Sequence, residues 1–175
     1  CKNVSINNKV VLTYNTNNPI YSYKIENGFK IYRPLSKKFK WLCSSLEGNI
    51  QGFLQLPDKG ELLIITSSLK DVMLLDVLKY NAIAPHTEGG NLREDLINSL
   101  KKRFKRIVMF YDNDSTGIEN SKTNVLLFEL EEIFVPKEKL VKDISDFRKK
   151  YGEFETIKLL EIMLTQKVEI ENKCI

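Results

Sequence analysis

The stretch that decides the fold is Ile107-Val108-Met109-Phe110-Tyr111-Asp112-Asn113-Asp114-Ser115-Thr116-Gly117. Five apolar residues lead directly into two carboxylates, Asp112 and Asp114, and a glycine follows. We interpret the apolar run as a buried strand whose carboxyl end carries the acidic pair, because open α/β sheets bind ligands at that edge. Gly117 would let the chain turn tightly into a following helix. Two hard oxygen donors suit Mg²⁺ or Mn²⁺; the alternative is a solvated loop in which Asp114 only caps the helix.

Composition sets the limits of what the chain can be. Its 175 residues suffice for one well-packed domain, or one domain with a small appendage. A net charge of +4 permits nucleic-acid binding without requiring it. The three scattered cysteines argue against a zinc site or a disulfide framework and indicate a reducing, cytoplasmic setting. No apolar run approaches the roughly 20 residues that cross a bilayer, so we expect no membrane partner. The chain opens on Cys1, and we expect a piece of a longer protein.

The first third of the chain is predicted to form antiparallel strands. Residues 20–25 and 29–33 flank Glu26-Asn27-Gly28, a hairpin signal. A second hairpin is predicted from 39–43 and 50–57. We divide the chain into a linker or edge strand (1–19), a β-rich subdomain (20–58), the main domain (59–150) and a C-terminal helix with its tail (151–175).

From Gly60 onward, short apolar runs alternate with helical periodicity, which is typical of βαβ units and a parallel sheet. The fold class is therefore α/β, with the parallel sheet flanked by helices and preceded by the small antiparallel β subdomain. Strands are predicted at 62–66, 82–84, 107–111 and 133–135. Helices are predicted after Ser67 or Ser68, after Asn91, at 118–130, 144–151 and 153–165, with a fraying tail from Gln166.

A second acidic cluster, Lys142-Asp143-Ile144-Ser145-Asp146, follows the predicted fourth strand. Asp143 and Asp146 are three residues apart and would share one face of a helix. They could lie at the same sheet edge as Asp112 and complete an acidic site there. The alternative is that Asp143 or Ser145 only caps the next helix.

Two further segments end at this edge of the predicted sheet. Lys70 and Asp71 follow the first strand and could instead be a surface ion pair. Glu88 follows the second strand, beside the single histidine, and supplies another carboxylate. In the β-rich part, Lys38, Lys40 and Trp41 mix charge with aromatic surface, which can bind a phosphate backbone and stack a base. An amphipathic strand with a solvated lysine face explains the same pattern.

The ordered set Ser67…Lys70-Asp71, Asp112-x-Asp114-x-x-Gly117 and Lys142-Asp143-x-x-Asp146 resembles the TOPRIM domain of primases. It is most similar to phage and plasmid primases and primase–helicases, over about residues 60–150. The preceding segment, with Tyr32-Arg33-Pro34 and Lys40-Trp41, resembles the N-terminal subdomain that comes before TOPRIM in phage primases.

The resemblance implies a Rossmann-like TOPRIM sheet and a DNA primase that makes short RNA primers on single-stranded DNA from nucleoside triphosphates. It implies zinc-binding and helicase domains or subunits outside this segment, and the host cytoplasm if the gene is viral. The implied site residues are Asp112, Asp114, Asp143 and Asp146 for Mg²⁺, Lys70 and Lys142 for nucleotide phosphate, and Arg33, Lys38, Lys40 and Trp41 for the template.

One position departs from the resemblance. The family pattern Glu-Gly-x-x-Asp aligns with Ser67-Ser68-Leu69-Lys70-Asp71, so Ser67 stands where the glutamate is expected. Either Glu88 substitutes for it, or the domain is a non-catalytic nucleic-acid-binding module. A TOPRIM-type nuclease is a third reading. We favour an active primase and assign catalytic roles to Glu88, Lys70 and Asp112.

Overall fold

The chain folds as two compact units, residues 1–49 and 50–175. A computed structural model describes residues 3–6, 9–13, 15–25, 28–43, 49–86 and 92–173.

The first unit contains antiparallel strands. Strands β1 (Asn3–Ile6) and β2 (Lys9–Thr13) pair with each other. A separate three-stranded sheet consists of β3 (Tyr21–Ile25), β4 (Gly28–Tyr32) and β5 (Trp41–Cys43), in that order. The hairpin predicted around Glu26-Asn27-Gly28 is confirmed by the pairing of Tyr21 with Tyr32 and of Ile25 with Gly28.

The second unit is built on a five-stranded sheet of order β10-β9-β7-β8-β6. Its first four strands run parallel, and β6 runs antiparallel to β8. This arrangement confirms the α/β prediction. The strands are β6 (Ile50–Gln51), β7 (Gly60–Thr66), β8 (Ala82–Pro85), β9 (Phe104–Phe110) and β10 (Glu131–Glu132), and the helices are α1 (Leu69–Val77), α2 (Glu94–Arg103), α3 (Ser115–Phe128) and α4 (Ile144–Lys173).

Helices cover both faces of this sheet, as the continuous apolar strands require. Alternate residues of β7 point to opposite sides, so Ile64 packs with residues of α1 and α4, whereas Leu63 and Ile65 pack with residues of α2. The side chains of Leu159 and Leu160, in the second half of α4, belong to the first of these clusters. Helix α4 is therefore part of the core that supports the sheet. Among the described residues, no helix is long and apolar enough to cross a membrane.

Two predicted elements differ in the structure. The second hairpin is wrong, because β6 pairs with Ala84 and Pro85 of β8 and β5 pairs with β4. The fourth strand lies earlier than 133–135, since parallel pairing with β9 covers only Glu131 and Glu132. The single backbone hydrogen bond from Ile133 to Met109 (2.9 Å) extends it no further, and the segment that follows turns toward the short 3₁₀ helix Lys137–Lys139.

The helix ends confirm some expectations and correct others. Ser68, not Ser67, caps α1, accepting from the backbone N–H of Asp71. Helix α2 begins at Glu94 with Arg93 as its N-cap residue, and the predicted cap Asn91 lies outside the described residues. The two predicted C-terminal helices are confirmed, because Gly152, whose φ of 86° is non-helical, separates them within α4, and the second helix extends to Lys173, beyond its predicted end at 165.

Candidate metal centre

Asp112 stands directly beyond the carboxyl end of β9, one of the two inner strands of the parallel part of the sheet. Its side chain is held in place by two donors from other segments. The Ser67 hydroxyl, just past β7, donates to Oδ1 at 2.5 Å, and the Lys142 ammonium lies 2.8 Å from Oδ2. Asp112 is 7% exposed, so its carboxylate faces the interior of this edge.

Asp71 lies in the first turn of α1 and is 1% exposed. The Ser68 hydroxyl donates to its Oδ2 at 2.6 Å, and the Ser145 hydroxyl donates to its Oδ1. Burial raises the pKa of the Asp71 carboxyl; the Lys70 ammonium opposes this shift and the nearby Asp143 carboxylate adds to it.

Asp143 precedes α4 and is 3% exposed. Its Oδ1 accepts from the backbone N–H of Asp146 at 2.8 Å, which is a helix cap, and its Oδ2 accepts from Lys70 Nζ at 2.5 Å. Burial alone would lower the pKa of Lys70, but the carboxylates of Asp71 and Asp143 more than compensate and raise it. Lys70 therefore remains an ammonium group at neutral pH.

The three carboxylates converge on one point at the sheet edge. Asp71, Asp112 and Asp143 each offer an oxygen, and these atoms all lie within 4.8 Å of one another. We call them the aspartate triad. Three hard oxygen donors fit a divalent cation that prefers oxygen ligands, so the residues present suit a metal of the Mg²⁺ type. Lys70 and Lys142 supply two positive charges against three negative ones, so the site keeps a negative balance.

The predicted metal set overlaps this triad only in part. Asp112 and Asp143 belong to it, whereas Asp114 and Asp146 do not. Asp114 is exposed and caps α3, with its Oδ1 accepting from the Gly117 N–H at 2.9 Å. Asp146 contributes its backbone N–H to the cap of α4. The geometry thus gives Asp114 the capping role left open as its alternative, and Asp143 caps α4 while also belonging to the triad.

Asp71 is the triad member that the predicted metal set lacks. The alternative reading of Asp71 as half of a surface ion pair is wrong, because its side chain is buried. The ammonium group of Lys70 lies 3.8 Å from Asp71 and donates its hydrogen bond to Asp143 instead. A signal for it was present, since Asp71 occupies the aspartate position of the Glu-Gly-x-x-Asp pattern. Glu88 lies outside the described residues.

Gly117 has a different role from the expected turn. It lies inside α3 with ordinary helical backbone, and an ideal Cβ at this position would lie 2.2 Å from the carbonyl oxygen of Asp112. Only a residue without a side chain lets the first turn of α3 approach the acidic strand end so closely. Because Gly117 has no side chain, the first turn of α3 can pack directly against the backbone of Asp112 and help to hold it in position.

The predicted template residues all belong to the first unit. Arg33 follows β4, and its backbone N–H donates to the Lys40 carbonyl at 2.8 Å. Lys38 and Lys40 are exposed, and Trp41 opens β5 with 40% of its surface exposed.

The chain is similar to several solved structures of primase catalytic domains. The chain superposes on the Aquifex aeolicus primase, zinc-binding and RNA polymerase domains, with a TM-score of 0.66 and 19% identity, covering 94% of this chain and 44% of that one. The match to a DnaG catalytic core has a TM-score of 0.64, 18% identity and coverages of 84% and 52%. The chain has the DnaG-type primase (TOPRIM) fold.

The primase fragment of the bacteriophage T7 primase–helicase shows the same likeness, with a TM-score of 0.57, 18% identity and coverages of 79% and 61%. The predicted TOPRIM sheet is thereby confirmed. This chain spans about half the length of the first primase structures it matches. No family model and no curated protein sequence matches it.

Proposed function

We propose that the chain is the catalytic part of a DNA primase, which makes short RNA primers on single-stranded DNA from nucleoside triphosphates. The observation that carries this proposal is the aspartate triad, because it lies at the carboxyl edge of a sheet with the primase fold. Buried carboxylates at that edge are suited to metal-assisted phosphoryl transfer.

The proposed cofactor is Mg²⁺ or Mn²⁺, held by Asp71, Asp112 and Asp143. When bound, such a cation neutralises phosphate charge and stabilises a leaving pyrophosphate. Asp112 is assigned the central position, because hydrogen bonds from Ser67 and Lys142 fix both of its oxygens. Asp114 and Asp146 are assigned to the support of this site through the helix caps that they form.

Lys70 and Lys142 are proposed to contact the triphosphate. Their side chains are 44% and 50% exposed, and both ammonium groups already lie at the acidic edge. Each serves as a counter-charge for one carboxylate of the triad. Once the carboxylates engage a divalent cation, the lysines can turn toward a phosphate and bind it as point charges.

Ser67 is proposed to position Asp112 rather than to transfer protons, because its hydroxyl donates to that carboxylate and an aliphatic alcohol is a weak acid. If the primase reaction needs a general acid or base, the proposed group is Glu88. The template is assigned to the basic first unit, through Arg33, Lys38, Lys40 and Trp41.

Partner modules follow by analogy with the structural neighbours. One neighbour combines a primase with a zinc-binding domain, and another is the primase fragment of a primase–helicase. We therefore propose zinc-binding and helicase modules as functional partners, in the same chain or in separate subunits.

A primer-synthesis assay tests the proposal. The full chain is incubated with single-stranded DNA, nucleoside triphosphates and Mg²⁺, beside Asp112→Asn and the matched control Asp76→Asn, whose exposed carboxylate lies on α1 outside the triad. We expect RNA products from the wild type and the control, and a loss of at least 100-fold in Asp112→Asn, in line with removal of a group that stabilises transition-state charge. DNA cleavage without nucleotides would instead support a nuclease. Binding without turnover, even with zinc-binding and helicase modules added, would support a non-catalytic module.

A further inference from the structure

Asn113, which directly follows Asp112, binds two separate points of the chain beyond β10. Its backbone N–H donates to the carbonyl of Lys142 at 2.6 Å, and its side-chain Nδ2 donates to the carbonyl of Val135 at 2.6 Å. Val135 and Lys142 flank residues 136–141, which we call the returning loop. Asn113 therefore holds both ends of the returning loop against the carboxyl end of β9.

The returning loop brings Asp143 to the aspartate triad. It contains the 3₁₀ turn Lys137–Lys139 and then Leu140, whose φ of 56° is left-handed, so no regular element fixes its path. Asp143 comes directly after the loop, and Asp112 comes directly after β9. Because these two carboxylates belong to different segments, their separation depends on where the ends of the loop are attached.

Two other links at this edge use the carboxylates themselves. Lys142 Nζ lies 2.8 Å from Oδ2 of Asp112, and Lys70 Nζ lies 2.5 Å from Oδ2 of Asp143. A bound cation would compete with both ammonium groups for these oxygens. The hydrogen bonds of Asn113 end on backbone carbonyls, so they can persist when a cation occupies the triad.

An asparagine side chain suits this position chemically. Its amide donates a hydrogen bond and carries no charge, so it neither neutralises the triad nor adds to its repulsion. An ionised aspartate could not donate to the carbonyl of Val135, because it has acceptors only. Val135 is 0% exposed, so loss of this donor would leave the carbonyl of a buried residue with one hydrogen bond fewer.

We propose that Asn113 is a positioning residue that sets the separation of Asp112 and Asp143, and with it the size of cation that the triad prefers. Mg²⁺ demands near-ideal geometry with oxygens at about 2.0–2.1 Å, whereas Ca²⁺ accepts flexible geometry at about 2.3–2.6 Å. A firmly anchored pair of carboxylates favours the smaller ion, and a loosened pair accepts the larger one. This inference rests on the proposed function in one respect, that the triad binds a divalent cation.

Calorimetric titration of the full chain with Mg²⁺ and with Ca²⁺ tests the size preference. Asn113→Ala should weaken Mg²⁺ binding about tenfold, as expected when a group that orients metal ligands is removed. Its Ca²⁺ binding should weaken less than about threefold, because Ca²⁺ tolerates irregular geometry. Unchanged affinity for both ions, or an equal loss for both, would overturn the proposal.

Asn124→Ala is the matched control for a general loss of stability. Asn124 is 6% exposed, and its Nδ2 also donates to a backbone carbonyl, that of Asn120 at 2.8 Å, but both residues lie within α3. The variant should keep the wild-type ratio of Mg²⁺ to Ca²⁺ affinity, whatever its effect on stability. An equal change of this ratio in Asn124→Ala and Asn113→Ala would contradict a specific role for Asn113.

Asn113→Asp separates position from charge. The carboxylate is nearly the same size as the amide, but it cannot donate to Val135 and it adds a negative charge beside the triad. Charge alone would tighten the binding of both ions, whereas loss of the anchor should lower the affinity for Mg²⁺ relative to Ca²⁺. A raised preference for Mg²⁺ in Asn113→Asp would refute the positioning role.

A measurement without metal keeps this inference separate from the proposed function. In EDTA, the amide hydrogen of residue 113 should exchange with solvent about tenfold faster in Asn113→Ala than in the wild type, because its bond to Lys142 loses the support of the side chain. The amide hydrogen of Ile64, which bonds to the carbonyl of Asn81 at 2.9 Å, should keep its rate. Unchanged exchange at residue 113 would contradict the anchoring role.

The two proposals fail with different results. Faster exchange in Asn113→Ala, together with a wild type that binds neither Mg²⁺ nor Mn²⁺, would reject the proposed cofactor and the size preference but keep Asn113 as the anchor of the returning loop. Primer synthesis by the wild type, together with an unchanged ratio of Mg²⁺ to Ca²⁺ affinity in Asn113→Ala, would reject the positioning role and keep the proposed function.

Discussion

The ammonium group of Lys142 lies 2.8 Å from Oδ2 of Asp112. Lys142 precedes Asp143 in the chain, and its backbone carbonyl accepts from the N–H of Asn113 at 2.6 Å, so the segments after β9 and before α4 are joined twice. The same lysine that tightens this edge also neutralises a carboxylate of the aspartate triad. Lys142 and a divalent cation therefore compete for the carboxylate of Asp112.

This competition predicts the effect of Lys142→Met on metal binding. Removing the ammonium group leaves the carboxylates more repulsive toward one another, and a cation relieves that repulsion, so we expect Mn²⁺ affinity to rise several-fold. The Michaelis constant for nucleoside triphosphate should rise at the same time, if Lys142 contacts phosphate. Calorimetric titration measures the first effect and initial rates the second. Lys122→Met, on the exposed side of α3, should change neither. A lower Mn²⁺ affinity in Lys142→Met would show that the lysine supports the site instead of competing with the cation.

Ser67→Glu tests whether the serine replaces a functional glutamate. A carboxylate at the end of β7 would add a fourth acidic group beside Asp112, so we expect tighter Mn²⁺ binding and more primer product. Glu88→Gln alone should reduce product formation if Glu88 is the substitute, and Ser67→Glu should restore activity in that variant. Ser67→Ala removes only the hydrogen bond to Asp112 and serves as the control. Full activity of Glu88→Gln would exclude Glu88 from catalysis.

Gly117→Ala tests the close approach of α3 to the acidic strand end. The added methyl group would lie 2.2 Å from the Asp112 carbonyl oxygen, so the helix must shift. We expect the free energy of unfolding to fall by about 1–3 kcal/mol, as for other overpacked interiors, and Mn²⁺ affinity to fall with it. Denaturant unfolding and metal titration are the measurements. Thr116→Ala, at an exposed neighbouring position, is the control and should leave both unchanged. A Gly117→Ala variant with wild-type stability would show that the chain after β9 can shift to accommodate the methyl group without an energetic cost.

Tyr111→Phe tests the tyrosine that precedes Asp112. Its ring is 2% exposed, and its hydroxyl has no hydrogen-bond partner among the described residues. A buried hydroxyl without a hydrogen-bond partner loses its hydration and gains no hydrogen bond in exchange. We therefore expect Tyr111→Phe to be neutral or to stabilise the fold by about 1 kcal/mol.

Alkaline pH should enlarge the difference in unfolding free energy between Tyr111→Phe and the wild type. Burial raises the pKa of the folded Tyr111 phenol above its ordinary value of 10.0. Above pH 10 the unfolded chain releases this proton while the folded chain retains it, so wild-type stability falls as the pH rises. The phenylalanine variant lacks this contribution, so its advantage should widen above pH 10 in denaturant titrations. A constant difference across that range would contradict the assignment.

The predictable features of the chain were those fixed by local pattern. The apolar runs at Leu62–Thr66 and Ile107–Tyr111 have the continuous character of strands buried on both faces, and both form the middle of the sheet. Periodic apolar residues likewise indicated α1 and α2, and the acidic end of β9 indicated the sheet edge at which the triad lies. Short-range chemistry was sufficient for these features.

Features that depend on distant partners were not predictable from local chemistry, although the family resemblance marked the position of Asp71. Ile50 and Gln51 form a strand only because β8 offers them an open edge, and no local signal distinguishes that partner from β5. Asp71 and Asp114 differ in the same way. Both are aspartates in or beside the first turn of a helix, but only Asp71 is covered by α4, through Ser145, and turned toward Asp112 and Asp143. Which carboxylate joins the metal site is decided by tertiary packing.

The contrast between Asp71 and Asp114 also provides the most direct test of the aspartate triad as a metal site. Mn²⁺ binding to the full chain is measured by the loss of the free-ion signal in electron paramagnetic resonance, for the wild type, Asp71→Asn and Asp114→Asn. Asparagine can still cap α3, so Asp114→Asn should bind Mn²⁺ within about twofold of the wild type. Asp71→Asn should weaken binding at least tenfold, because it removes one of three charged ligands. Loss of binding in Asp114→Asn together with unchanged binding in Asp71→Asn would contradict the aspartate triad as the metal centre.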